Sequence, residues 1–180
     1  MTATTSILMN GSQPDVDTSH QQQVIPKTLR YRPLPAPLVE DPSCPLAILQ
    51  TPDSPVPCRR CLQDSNVGDE MLLLSYDPFL GDSPYRCASP IFVHSKPACQ
   101  LASFQEGALL PEQQRKRLLS VRAYDGRHMM RSAEVVDGDR LLEACQRMLS
   151  EETPAEYCHV HYGAQGCFAV RVEKASLNAN

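Results

Sequence analysis

No apolar run in these 180 residues approaches the ~18 that a membrane-spanning helix needs, so no membrane span is expected. The first residues, MTATTSILMNGSQPDVD, have neither the basic start nor the apolar centre of a secretion signal. They contain no Arg and carry Asp15 and Asp17, which also argues against a mitochondrial leader. The expected location is cytoplasmic. Lys and Arg total 17 against 21 Asp and Glu, for a formal charge of -4. Apart from Arg115-Lys116-Arg117 the basic residues are scattered, and without a phosphate-tracking stripe no nucleic-acid partner is expected. The chain has no G-x-G-x-x-G, no P-loop and no G-x-S-x-G, so no organic cofactor is favoured and serine hydrolase chemistry has no local signature.

Cysteine, by contrast, is abundant at eight residues. In a reducing compartment an even count does not imply disulfides, and Cys145 and Cys158 sit where a thiol serves as a small apolar side chain. Cys58-x-x-Cys61 is the one closely spaced pair. A structural zinc needs four ligands, usually from two such pairs, and there is no second Cys-x-x-Cys. The pair reads as packed thiols in a loop entering the core, with redox or metal use as the alternatives.

Composition shifts divide the chain. Residues 1–28 are polar and aperiodic, as in a disordered tail. The 29–56 segment is so dense in proline that an extended path is expected, with a short turn at Leu46–Leu49. Residues 57–176 carry the periodic pattern of one domain, and 177–180 form a disordered end. Strands are predicted over Glu70–Tyr76, Ser89–Ser95, Ser120–Asp125 and Arg131–Val136, followed by a hairpin of Glu156–Tyr162 and Cys167–Lys174. Helices are predicted from Pro111 to Leu119 and over Asp139–Ser150, where Leu141, Leu142, Cys145, Met148 and Leu149 make one apolar stripe. The expected class is α+β, a mostly antiparallel sheet with two helices on one face.

Period-two alternation puts Tyr157, His159 and His161 on one face of the last hairpin, with Arg171 beside them. Phe168, Val170 and Val172 go to the opposite, core face unless a bulge breaks the parity. Imidazoles at i and i+2 can share a metal, with His94, His128, Cys58 or Asp125 as a third ligand. They can equally be bonded to backbone or water, or line a metal-free pocket. Arg86, between Pro84 and Pro90, can clamp an anion or simply pair with Asp82, Asp125 or Glu134. Asp125 ahead of Gly126 is turn chemistry or, with His128, an acid–base pair.

The segments PCRRCLQD, GDEMLLLSYDPF, SPYRCASPIFVH, LLSVRAYD, AEVVDG and HVHYGAQGCFAVRVE together resemble the domain of unknown function 1203 family. The resemblance covers most of residues 57–173. It implies a single small intracellular domain and carries over no catalytic residue.

Three functions fit these readings. The first is a cofactor-independent acid–base enzyme acting on a small organic molecule, of isomerase, dehydratase or cyclase type as in biosynthesis, with His159 and His161 as acid or base, Arg86 as anion clamp, and Tyr157 and Asp125 as orienting groups. The second is a metal protein, zinc foremost, drawing on His159, His161, His94, Cys58 and Cys61. The third is a non-catalytic interaction module using the Pro-rich segment. Oligomeric state is not written in the residues.

Overall fold

The computed structural model describes residues 22–38, 47–96, 99–104 and 107–175. The expected tail before residue 22 and the end from 177 to 180 lie outside the described residues. Two antiparallel sheets are stacked, with a helix covering one of them. The five-stranded sheet runs in the order β1 (Leu29–Arg32), β8 (Phe168–Lys174), β7 (Tyr157–Tyr162), β5 (Leu118–Tyr124), β6 (Met130–Asp137). The three-stranded sheet runs β2 (Ala47–Gln50), β3 (Met71–Tyr76), β4 (Ser89–His94).

Alternation explains why the larger sheet has two different faces. Leu119, Val121 and Ala123 of β5 lie directly opposite Tyr162, Val160 and Cys158 of β7, all on one face. Val170 and Val172 of β8 extend that face, and α2 (Leu141–Met148) lays Leu141, Leu142, Cys145 and Met148 onto it. Burying these side chains stabilises the fold by roughly 1.5–3 kcal/mol each. The other face, with Tyr124, Tyr157, His159 and Phe168, turns towards the smaller sheet, whose core residues are Met71, Leu74, Ile91 and Val93. The α+β class and the antiparallel pairing are as expected. No helix among the described residues is long and apolar enough to cross a membrane.

The differences are local and have physical causes. Ala47–Gln50 is strand β2, paired with β3, where a turn was expected. Leu29–Arg32 pairs with β8, because an extended chain between prolines still offers its amides to a sheet edge. Residues 22–28, expected in the tail, include Ile25, which is buried and donates its N–H to Ala108 O at 2.8 Å. The helix predicted from Pro111 to Leu119 shrinks to α1 (Glu112–Arg115), since Leu118 and Leu119 are taken into β5. Tertiary pairing here overrides helix propensity.

One glycine ties the helical side together. Gly138 opens a 3-10 turn over Gly138–Arg140 that leads into α2, and it sits against the C-terminal end of α1. A Cβ at this position would lie 2.0 Å from Gln114 O and 2.6 Å from Arg115 O, both backbone atoms. Gly138→Ala is therefore expected to lower the urea unfolding free energy by at least about 2 kcal/mol. A loss under about half a kcal/mol would show that the two segments can separate at no cost.

Candidate metal centre

Backbone hydrogen bonding shapes the Cys58–Leu62 loop into a tight turn. Cys58 N–H donates to Gln63 O at 3.0 Å and Leu62 N–H returns to Cys58 O at 3.1 Å. Leu62 adopts φ of 55°, a left-handed conformation that ends the turn. Arg59 N–H donates to Phe92 O at 2.9 Å, which docks the loop beside β4. This arrangement faces both cysteines towards the end of β4, where His94 sits. Cys99 follows five residues later, its N–H bonded to Lys96 O at 3.0 Å.

One ligand atom from each of Cys58, Cys61, His94 and Cys99 falls within 4.8 Å of the others. Cys58 Sγ lies 3.7 Å from Cys99 Sγ, and Cys61 Sγ lies 3.6 Å from His94 Nδ1. Zinc–sulfur bonds of about 2.3 Å and zinc–nitrogen bonds of about 2.0 Å put tetrahedral S···S and S···N edges at about 3.8 and about 3.5 Å. The two contacts match the edges that a zinc ion requires.

The thiols do not share one electrostatic environment. Cys58 is pulled well below the ordinary thiol range, first by the Cys61 thiol donating to it, then by backbone amides of Cys61, His94 and Arg60. Cys61, as that donor, is pushed up. Cys99 is raised by burial and by the charge on Cys58. A thiolate beside two thiols is the array that a metal ion deprotonates further as it binds.

Two neighbours complete the centre. His94 Nε2, the ring nitrogen away from the sulfurs, lies 3.7 Å from Asp69 Oδ2. Lys96 and the Asn66 amide hold the Asp69 carboxyl down to about 2, so it is ionised. Beneath the loop, Arg59 is buried: Nε donates to Phe168 O at 2.8 Å, Nη2 to Cys167 Sγ at 2.9 Å, and Nη1 to Pro57 O. Among the described residues its partners are carbonyls, a sulfur and the Tyr162 ring, with the guanidinium carbon 4.8 Å from the ring centroid, and no carboxylate is bonded to it. On the outer side Cys61, His94 and Cys99 border a cleft of about 530 Å³, which offers an entry path.

The residues predicted for a site thus separate into groups. His94, Cys58 and Cys61 come together with Cys99, while His159 and His161 lie outside that cluster. The sequence reading missed Cys99. His94-x4-Cys99 is itself a short-spaced ligand pair, and searching for any Cys/His pair instead of a second Cys-x-x-Cys would have found it.

His159 is fully buried, ringed by Phe79, Tyr157, Tyr124 and Phe168 at centroid distances of 4.7, 5.0, 5.3 and 5.5 Å. Among the described residues neither of its ring nitrogens has a hydrogen-bond partner. His161 Nδ1 bonds to Gly166 O at 2.9 Å. A bulge between Val160 and His161 brings Phe168, expected on the core face with Val170, opposite His161 and between the sheets. Arg86 is exposed and paired with Asp77 Oδ2 at 2.7 Å, an acid not considered for it, and with Asp82 Oδ1 at 3.6 Å, one that was. Asp125 closes its turn by accepting from Arg127 and Met129 N–H at 2.9 and 3.0 Å and from Arg131 Nε at 2.8 Å. His128 Nδ1 lies 2.9 Å from Tyr157 Oη.

The described cysteines are free thiols, with Cys145 and Cys158 buried in the core under α2, and Cys44 lies outside the described residues. A family model described as a protein of unknown function (DUF1203) matches residues 55–174, and the chain belongs to that family. No curated protein and no solved structure matches.

Burial holds both imidazoles neutral, lowering His159 to about 2 and His161 to about 4 from the ordinary 6.5. The unfolded chain binds protons at these groups that the folded chain refuses. Their contribution to stability is therefore complete above pH 6.5 and is lost as pH falls towards 4 and below. Urea unfolding is expected to weaken by several kcal/mol from pH 7 to pH 4. His159→Phe should flatten that decline, while acid effects on the cysteine cluster remain common to both proteins. Equal declines in the two would show that His159 is already accessible to protons.

Proposed function

We propose that this member of the DUF1203 family is a zinc-binding protein, with Cys58, Cys61, His94 and Cys99 as a closed set of four ligands. The observation that carries this reading is the pair of tetrahedral-edge distances, 3.7 Å between sulfurs and 3.6 Å from sulfur to imidazole nitrogen. Four protein ligands leave no open position, the arrangement of a structural site rather than a catalytic one. Zinc in this set would fix the Cys58–Leu62 loop, the end of β4 and the Cys99 segment to one another.

The surroundings support an anionic centre. Three thiolates and a neutral imidazole around a divalent ion leave a single net negative charge. Buried Arg59, next to Cys58 in the chain, is a cation suited to face it. Asp69 would fix the tautomer and orientation of His94 from outside the ligand sphere, as carboxylates commonly do behind zinc-bound imidazoles. Free thiols suit the reducing cytoplasm expected from the sequence.

The acid–base enzyme has less support. His159 and His161 are neutral and buried, and Arg86 is occupied by Asp77. The interaction module rests on a Pro-rich segment of which residues 39–46 lie outside the described residues.

Protein purified in zinc-supplemented medium is expected to contain one equivalent of zinc by elemental analysis. Cobalt replacement should give the intense visible bands of a tetrahedral thiolate site. Cys99→Ser should lose that spectrum, whereas Cys87→Ser, at an exposed thiol outside the cluster, should retain it. Asp69→Asn should weaken metal affinity by about 10–100-fold with the same spectrum. Metal-free protein with an unchanged melting temperature in the presence of chelator would overturn the proposal.

A further inference from the structure

A second charged assembly lies between the sheets, and among the described residues one carboxylate, Glu173, is bonded to a row that carries three guanidinium groups. Register places Arg32, Arg171, His159 and Arg122 side by side across β1, β8, β7 and β5. These four residues form one row on the face that turns towards the smaller sheet. Glu173 is the carboxylate bonded to the row, at 3.2 Å from Arg32 Nη1 and 2.6 Å from Arg171 Nε. Arg122 Nε reaches Ser120 Oγ at 3.3 Å.

Unused donors point to the same place. Among the described residues, Nη1 of Arg171 and both ring nitrogens of His159, one an N–H donor and the other an acceptor in the neutral ring, are buried without a hydrogen-bond partner. An unmatched buried polar group costs about 1–3 kcal/mol, and more when it is charged. Here such groups sit on strands next to one another. The Arg171 guanidinium carbon stands 3.6 Å from the Tyr157 ring centroid, so the cation is also held in orientation. The layer therefore has donors fixed in place and too few acceptors.

From this we infer that the Arg32–Arg171–His159–Arg122 row binds a small oxyanion, a carboxylate or phosphate group, whose organic body packs against Tyr124, Tyr157 and Phe168. Arg171 Nη1 and a ring N–H of His159 supply hydrogen bonds to it, and Arg122 supplies further positive charge. Aromatic walls around a few convergent polar groups are the usual make-up of a small-molecule site. Three of the rings around His159 belong to strands β5, β7 and β8. The fourth, Phe79, belongs to the irregular segment joining β3 to β4. At 4.7 Å it is also the ring nearest to His159. Phe79 is accordingly the wall that gives way, and the row reaches solvent at Arg32, whose side chain is 39% exposed. This site shares no residue with the zinc ligands, so its fate is independent of that reading.

Isothermal titration of the full zinc-supplemented chain tests the inference with three probes: benzoate, phenyl phosphate and neutral benzamide. Saturable binding of at least one oxyanion is expected, with none for benzamide, and whichever oxyanion binds identifies the headgroup. Phe79→Ala should tighten binding several-fold by clearing the wall. Arg171→Gln should weaken it at least tenfold, and if that variant does not fold, Arg122→Gln, at a half-buried position, should weaken it at least threefold. Failure of both oxyanions to bind wild type and Phe79→Ala overturns the inference. So does benzamide binding as tightly, or unchanged affinity in the folded arginine variant.

Discussion

A buried guanidinium joins the two halves of this molecule. Arg59 belongs to the loop that docks on the smaller sheet, yet its hydrogen bonds run to Phe168 O and Cys167 Sγ at the start of β8 in the larger one. Phe168 N–H in turn donates to Ser89 Oγ of β4 at 3.1 Å, and the Phe168 ring packs in the core of the smaller sheet with Tyr76 and Ile91. Desolvation lowers the basicity of Arg59, but a guanidinium remains charged in any protein environment. That charge must be offset where it lies, and truncating a buried charge or its partners typically costs 3–5 kcal/mol. Tyr162, Cys167 and Cys58 are the groups whose negative charge would favour that cation, and the last of them links sheet packing to the chemistry of the cysteine cluster.

The position of His159 has a similar origin in backbone geometry. Strand alternation would put Phe168 with Val170 and Val172 under α2. The bulge between Val160 and His161 shifts it by one position, and it becomes a wall of the inter-sheet layer. The same shift gives His161 Nδ1 the Gly166 carbonyl as a partner, while His159, on the regular part of the ladder, receives none. Two histidines that look equivalent in sequence thus differ in kind, one satisfied by its own turn and the other left with unused polar capacity.

How far the residues announce this structure depends on the range of the interaction. Buried strands such as Met71–Tyr76 and the amphipathic α2 are legible because their periodicity is a local property. The pairing of β1 with β8 is not, since nothing local in a proline-bounded stretch names its partner. Nor does the sequence show that there are two sheets: the apolar run of β3 and the alternation of β4 would read the same within one. The metal candidates were half legible. Cys58 and Cys61 are a visible pair, but only the docking of their loop on Phe92 brings them to His94 and Cys99, more than thirty positions along the chain. Requiring matched cysteine pairs hid a ligand set in which the second pair is mixed.

The two polar assemblies differ in what completes them, and this separates their roles. In the cysteine cluster the donors already point at one another, so a single ion satisfies them at once and the structure around it stays closed. In the arginine row the side chains lie parallel across a sheet and face a shared layer, so an ion of point-like size does not reach His159 and Arg171 at once. What fits is a group with several oxygens attached to an apolar body. A core built only for stability would fill such a position with aliphatic side chains, as happens under α2. Keeping an unpartnered imidazole and a guanidinium there lowers stability, and departures of this kind from local consistency concentrate where a protein binds something.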